Sequence, residues 1–447
     1  GLPGALAIVV GSMLGVGIFL TPPEVATHLP SAALYLLAWL AGGYIAFSGA
    51  VAYAELGTRF PEAGGDYVFL QEAFDPSISF AAGWLLFAGV FTGSVATMAV
   101  PLVEYQVPVL LGPIVEIDPG AVLWEWGIVK LTVARAVGIG IIAALTALNI
   151  IGTRPSTLVQ ILLTGVPVVL FALAALVVFA VAEPAAAESF DAPEGPAVVR
   201  FGRAVLAVYF AYAGWNAIAY VGGEVEEPGK TIPASLLGGT AIITVLYALL
   251  AGCALFVLGV GGVQEAVEVG TASADALAGE AATYAITAVI AAVLLGSLNA
   301  TILAGGRVGW AMAQRGALVE SVATLHDRFE TPTRALLLQA ALAVLLVSTG
   351  TFEMLLEMTS VAMFVMGALT VMALFVLRRR DGDEAPYRAT GYPWLPGSFV
   401  VISAVIVAAS LYRALLGDDG MTAESLYPVA GLVLFGLVWL GHRLWRR

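Results

Sequence analysis

Two short runs carry residue types at spacings that suit chemistry rather than plain packing. The first is Gly11-Ser12-Met13-Leu14-Gly15-Val16-Gly17-Ile18-Phe19, with three glycines in seven residues of an otherwise apolar stretch. The second is Phe210-Ala211-Tyr212-Ala213-Gly214-Trp215-Asn216, where a glycine and an amide side chain interrupt another apolar stretch. Each glycine weakens a helix by about 1 kcal/mol relative to alanine. A helix broken at such a run exposes N–H groups at the start of one half and C=O groups at the end of the other. The N–H end attracts a carboxylate and the C=O end an ammonium, each by about 0.3–1 kcal/mol, rising toward 2 when buried. A site with both ends complements a zwitterion, so recognition of an amino acid is the chemistry to expect. The competing reading is packing: Gly11 and Gly15 form a GxxxG pair, and aromatics with one Asn suit a buried helix.

The elements that must position these runs follow from composition. The chain has 447 residues, 60% hydrophobic and 11% charged, with a mean hydropathy of +0.95. Soluble domains are nearer half apolar and a quarter charged, which excludes an ordinary soluble enzyme. The apolar residues arrive in blocks of about 20, enough to cross a hydrocarbon core about 30 Å thick. The expected spans are Leu2–His28, Ala32–Leu56, Ile78–Leu110, Leu131–Ile151, Ser156–Ala182, Phe201–Gly223, Pro233–Leu258, Ala281–Ala313, Ala335–Thr349, Leu355–Leu377, Leu395–Leu416 and Ser425–Leu444. Without alternation at period two these read as helices, not barrel strands. The fold class is therefore an all-α integral membrane protein of about twelve transmembrane helices.

With the first helix starting inside, fourteen of the nineteen lysines and arginines fall on the inner side, which predicts cytoplasmic N- and C-termini in the cell membrane. The acidic stretches Glu116–Glu125, Glu183–Glu194 and Glu265–Glu280 then lie outside. The two irregular runs fall in the first and sixth spans, the matching positions of two five-helix halves. Paired interruptions of that kind point to a transporter site at a repeat interface.

Other classes find little support. A net charge of −13 with only two lysines, Lys130 and Lys230, argues against nucleic-acid binding. The single Cys253 leaves no disulfide framework. Gly1 opens the chain without an initiator Met, so a trimmed N-terminus and no cleavable signal peptide are expected. No Gly-x-Ser-x-Gly elbow, P-loop or paired-histidine motif is present, so neither an enzyme nor a cofactor is expected. Transport should then be secondary, with sodium or proton coupling left open and the oligomeric state unspecified. His28 reads as an interfacial residue.

Three motifs give the chain a resemblance to the amino acid–polyamine–organocation superfamily, and within it to the L-type amino acid transporter branch. They are the Gly11–Phe19 run, Tyr53-Ala54-Glu55-Leu56-Gly57 running into Pro61-Glu62-Ala63-Gly64-Gly65-Asp66-Tyr67, and the Phe210–Asn216 run followed by Glu224, Pro228, Lys230 and Pro233. The resemblance implies a LeuT-like, five-plus-five inverted repeat with discontinuous helices 1 and 6 and alternating access. It divides the chain into a first repeat (1–182), a second repeat (183–377) and two additional helices (378–447).

Carried over by position, the substrate site comprises Ser12, Met13, Gly15, Val16, Gly17 and Ile18 with Phe210, Ala211, Tyr212, Ala213, Gly214, Trp215 and Asn216. The amides of Gly15, Val16 and Gly17 would hold the carboxylate. The carbonyls of Met13, Phe210 and Ala213 would accept from the α-amino group. Phe210 would act as a lid, with Trp215 and Asn216 shaping the pocket. A third-helix wall is expected at Gly89, Thr92 and Gly93 from their small size. The sequence departs from relatives in two places: Val16 stands where many have Ser, and the stretch Gln160–Pro167 lacks the lysine that many carry in the fifth helix.

Among the remaining polar residues, Glu224 reads as a gate or an interfacial anchor, with Arg307 as an acidic gate residue's partner. Ser297, Asn299 and Thr301 suit either a sodium site or helix-to-helix hydrogen bonds. Glu55 beside Arg59 reads as structural, Pro61–Tyr67 as a loop bracing the gate, and Arg378, Arg379 and Arg380 as topology anchors. No carboxylate stands in the Phe210–Asn216 run, which favours neutral or broad-range L-amino acids as substrates. A cationic amino acid or polyamine permease of the same fold, or a nontransporting sensor, is the alternative.

Overall fold

The computed structural model describes residues 1–29, 31–112, 114–115, 117–127, 129–185, 196–349, 352–382, 384–416 and 427–445. Glu116, the end of the Glu183–Glu194 stretch, Ser425, Arg446 and Arg447 lie outside the described residues.

The first apolar block forms α1 (Leu2–Met13), α2 (Gly17–Leu20) and α3 (Pro22–His28). Its break at residues 14–16 falls between the glycines. The second block is one helix, α4 (Ala32–Arg59), and a turn then leads into α5 (Asp66–Ala73). The third block begins at α6 (Pro76–Trp84), where Pro76 occupies the first turn and the Asp75 side chain accepts from the Ser77 amide at 2.8 Å. It continues as a π-helical segment 85–91, α7 (Thr92–Pro101), a second π segment 102–106 and α8 (Val107–Leu111).

A two-stranded hairpin follows, β1 (Val122–Trp126) against β2 (Val129–Thr132). This corrects the expectation of helices alone, and Leu131 belongs to β2 and not to the fourth span. α9 (Val133–Ile151) starts where the Thr132 hydroxyl accepts from the Arg135 amide. Gly152, at φ +147°, turns the chain into α10 (Thr153–Val181). The sixth block is α11 (Ala197–Ala211) and α12 (Ala217–Tyr220), separated by residues 212–216.

α13 (Pro228–Glu265) runs past the expected end at Leu258 through a break at Gly259, whose φ of +68° no helix holds. α14 (Val269–Ala278), unforeseen in the sequence, is capped by Glu268 and precedes α15 (Glu280–Gln314). α16 (Thr333–Thr349), α17 (Phe352–Asp381), α18 (Trp394–Leu416) and α19 (Tyr427–Trp445) complete the chain.

Among the described residues, nine helices are long and apolar enough to cross a membrane. The third-block window is 83% buried, whereas that of Leu158–Val181 is 22% buried although its mean hydropathy, 2.8, is the highest. The most apolar helix is thus the least covered by protein, which is the pattern for a chain whose outer solvent is lipid. The protein is a multi-pass membrane protein. α1 sits inside the bundle against α10, α13 and α15, and α13 lies along α4.

Buried polar side chains bind the inner helices together. The Asn299 amide oxygen accepts from Asn149 at 2.9 Å and its nitrogen donates to Gln160 at 3.0 Å, while the Ser156 hydroxyl donates to Asn149 at 3.0 Å. Arg378 pairs with the fully buried Glu55, which also holds Arg59 and accepts from the Ala389 amide. Its guanidinium lies over the Tyr392 ring, 3.9 Å from the centroid.

Candidate substrate site

The two breaks meet face to face. A Cβ on Gly17 would stand 2.4 Å from the Ala211 Cα, and one on Gly214 would stand 2.5 Å from the Ser12 carbonyl oxygen. Gly214 also has a φ of +93°, a conformation that favours glycine. The glycines are there because backbone must pass against backbone. Gly11 packs on Gln160 and Thr164 of α10, so the packing reading holds for it. At Gly15 the nearest neighbour is the Ser297 side chain, at 3.0 Å, with the Met13 carbonyl in ordinary contact at 3.9 Å.

Beside the breaks lies a cavity of ≈ 90 Å³. About 10–15 Å³ by this measure holds one water, so the space suits a small polar metabolite. Of the residues expected at the site, the cavity is lined by Ser12, Met13, Gly15, Val16 and Gly17, and by Phe210, Ala211, Ala213, Gly214, Trp215 and Asn216. Ile18 and Tyr212 do not line it. Ile18 faces an apolar crevice with Phe19 and Phe171. The Tyr212 hydroxyl donates to the Trp39 carbonyl at 3.0 Å.

The third-block wall also differs from expectation. Gly89, Thr92 and Gly93 are displaced from the cavity, and Leu86, Val90, Phe91, Ser94 and Met98 take their place. The π segment at 85–91 changes the angular step of the helix. Thr92 turns back on the Phe87 carbonyl at 2.7 Å and Gly93 packs on Thr359.

Asn299 faces α9 and α10 within its hydrogen-bond network and lies away from the cavity, whereas Ser297 and Thr301 line it. The Ser297 hydroxyl approaches the Ser12 carbonyl at 3.4 Å, and that of Thr301 donates to the Ser297 carbonyl at 2.9 Å. The Ser12 hydroxyl is buried without a partner among the described residues. Glu224 and Arg307 do meet, Arg307 Nε donating to Glu224 Oε1 at 3.1 Å. The arginine is 3% exposed and the glutamate 45%.

Two functional residues escaped the sequence reading. The Tyr247 hydroxyl, from α13, donates to the Met13 carbonyl and lies 3.0 Å from that of Ala211. The Met13 carbonyl, expected to accept from a substrate ammonium, is therefore already engaged. Asp66 lines the cavity and is fully buried. Its carboxylate accepts from the hydroxyls of Tyr53, Tyr220 and Thr370, and from the Asn216 amide at 3.4 Å. The Phe210–Asn216 run carries no carboxylate, but the cavity does have one, from the first residue of α5. The backbone explains its position, because the Gly64 amide donates to the Tyr220 carbonyl at 3.1 Å and Ala63 bridges Val221.

A largely apolar cavity with a few buried polar groups, set beside two interrupted helices inside an apolar bundle, is the arrangement of a membrane permease. The chain belongs to the amino acid permease family, whose model matches residues 1–438. It is similar to the serine/threonine exchanger SteT of Bacillus subtilis (strain 168), 29% identical over 96% of this chain and 95% of that protein. It is also similar to the cystine/glutamate transporter of Pongo abelii, at 26% identity over 99% of this chain and 86% of the relative. The b(0,+)-type amino acid transporter 1 of Mus musculus is 25% identical over 98% and 86% of the two chains. The protein is an amino acid transporter and not an enzyme.

Proposed function

We propose that this transporter moves small neutral or broad-range L-amino acids across the cell membrane by alternating access, in exchange for one another or down a coupled gradient. The observation that carries the reading is the cavity at the crossing of the breaks, with the partnerless Ser12 hydroxyl and the first amides of α2 around it. Gly17 opens α2, so its amide has the orphan character of a helix start and attracts a carboxylate. Gly15 and Val16 precede it on the same wall. On this reading the ammonium side is formed by the carbonyls of Ala213 and of Phe210, the latter already accepting from the Ala213 amide at 3.0 Å, with Phe210 covering the pocket. Trp215 and Asn216 limit its depth.

Neutral substrates are favoured because Asp66 has no acceptor capacity to spare. A carboxylate offers about four lone-pair sites, and four donors already surround this one. The names of the relatives agree, one being a serine/threonine exchanger.

The architecture we assign has twelve spans. Nine helices qualify by length and composition, and the broken sixth block, α16 and α19 supply three more. Breaks in the first and sixth spans support inverted repeats at 1–182 and 183–377, followed by two additional helices (378–447). The distribution of basic residues supports cytoplasmic termini, and with that orientation the Glu224–Arg307 pair reads as an inner gate.

Reconstituted protein in liposomes tests the reading. Labelled serine and leucine should accumulate in exchange for internal amino acid, under separately imposed sodium, proton and trans-substrate gradients. Asp66 in the cavity wall favours one second reading, a permease for cationic amino acids or polyamines. Transport of lysine or putrescine to the exclusion of serine and leucine would decide for it, and binding without flux would indicate a sensor.

A further inference from the structure

Resting on the transport reading, we propose that Asp66 is the site at which this transporter binds and releases a proton, and that the proton loosens the inner half of the broken sixth helix. The geometry makes Asp66 a clamp. Tyr53 reaches it from α4, Thr370 from α17, and Asn216 and Tyr220 from the break and α12. One carboxylate thereby ties the inner arm of the sixth span to two helices that flank it.

Among the described residues no cation pairs with this charge. The titratable groups that face it are Tyr53, Tyr220 and, across the cavity, Tyr209. On the elements packed around α5, Arg379 is exposed at the end of α17, Arg380 holds Asp381, and the other cations are paired with acids. Arg59 and Arg378 hold Glu55, Arg307 holds Glu224, and Arg315 holds Glu62 and Glu72. From α6 comes only Asp75, the cap on Ser77.

The neutral donors hold Asp66 best as an anion, while burial pushes its carboxyl above the usual carboxylate range. A proton arriving from water in the cavity adds to one carboxylate oxygen and converts an acceptor of four bonds into a group that must itself donate. One of the four donors then loses its partner, and the arm carrying Asn216 and Tyr220 is held by fewer bonds. Asn216 also lines the substrate cavity, so occupancy at the break and protonation at Asp66 bias the same element. Coupling between the two sites is then reciprocal.

The experiment uses the full chain in liposomes with a trapped pH dye and labelled serine, reading protons moved per serine. The wild type is expected to acidify the lumen during serine entry, with uptake that varies with pH. Asp66→Asn should lose the proton movement, so that the ratio falls to zero and the pH dependence flattens. Should that variant fail to fold, Tyr220→Phe removes one donor to the anion and should shift the pH midpoint of uptake upward. An unchanged midpoint in Tyr220→Phe, or a wild-type ratio in Asp66→Asn, would overturn the assignment. Serine flux with no proton movement in the wild type would overturn it while leaving the transport reading intact. Absence of both binding and flux for every amino acid tried would remove both.

Discussion

The Tyr247 hydroxyl donates to the Met13 carbonyl at the end of α1, and it lies 3.0 Å from the Ala211 carbonyl at the end of α11. One phenol from a third helix thus serves the C-terminal ends of both interrupted helices, where carbonyls have no intrahelical partner. Leaving such buried acceptors short of a donor costs about 1–3 kcal/mol. Tyr247→Phe should therefore insert normally but melt at lower temperature in detergent. Its serine affinity should weaken because the ends of both breaks are less fixed. An unaltered melting temperature and affinity would show that the phenol is dispensable.

The glycines of the first run should separate by role. Gly17→Ala sets a methyl against Ala211 backbone, which cannot rotate aside, and overpacking of this kind costs about 1–3 kcal/mol. Gly15→Val has only the Ser297 side chain to displace, and its bulk enters the cavity. Thermal unfolding should show a clear loss for Gly17→Ala and little change for Gly15→Val. Binding measured by substrate-induced thermal shift should vanish in the latter. Normal affinity in folded Gly15→Val would refute the carboxylate assignment.

The gate pair should behave asymmetrically. Arg307 is 3% exposed and Glu224 is 45%, so removing the acid strands a buried cation. Breaking a fully buried pair costs about 3–5 kcal/mol, and the exposure of Glu224 lowers that figure here. Glu224→Ala should destabilise the protein more than the Glu224→Ala, Arg307→Met double variant. Equal melting temperatures for the two would contradict the pairing.

Glu268, the cap of α14, should give stability a pH dependence. Its carboxylate accepts from the amides of Gly270 and Thr271, yet burial raises its pKa above the ordinary glutamate value. The folded state therefore holds its proton more tightly than the unfolded chain. This contribution to stability is complete below the unfolded pKa, about 4.3, and is lost as pH rises through the raised value. The difference in melting temperature between wild type and Glu268→Gln should change with pH across that window. A constant difference would exclude the titration.

The sequence reading reached the breaks because glycine and asparagine are conspicuous in apolar blocks, and local composition alone decides whether a helix can run on. It reached Glu224 and Arg307 because ionisable groups near a bilayer are few. Asp66 was harder to see, since its burial depends on Ala63 and Gly64 joining the sixth span, more than 150 residues away in sequence. Gly89, Thr92 and Gly93 were misplaced for a different reason: a π segment leaves no mark in hydropathy, and it turns the following side chains to another face. Tyr247 is one aromatic in a long apolar helix, and nothing near it in the chain announces its two acceptors. The hairpin at Val122–Thr132 was hidden because every residue of β1 is exposed and no inward-facing alternation arises.

Where Gly17 rests on Ala211 and Gly214 on Ser12, the interrupted helices cross like the blades of scissors at a pin, with no side chain as padding. A shift in one blade is passed directly to the other. On the transport reading proposed above, a passage open to both compartments at once would require the pin itself to part.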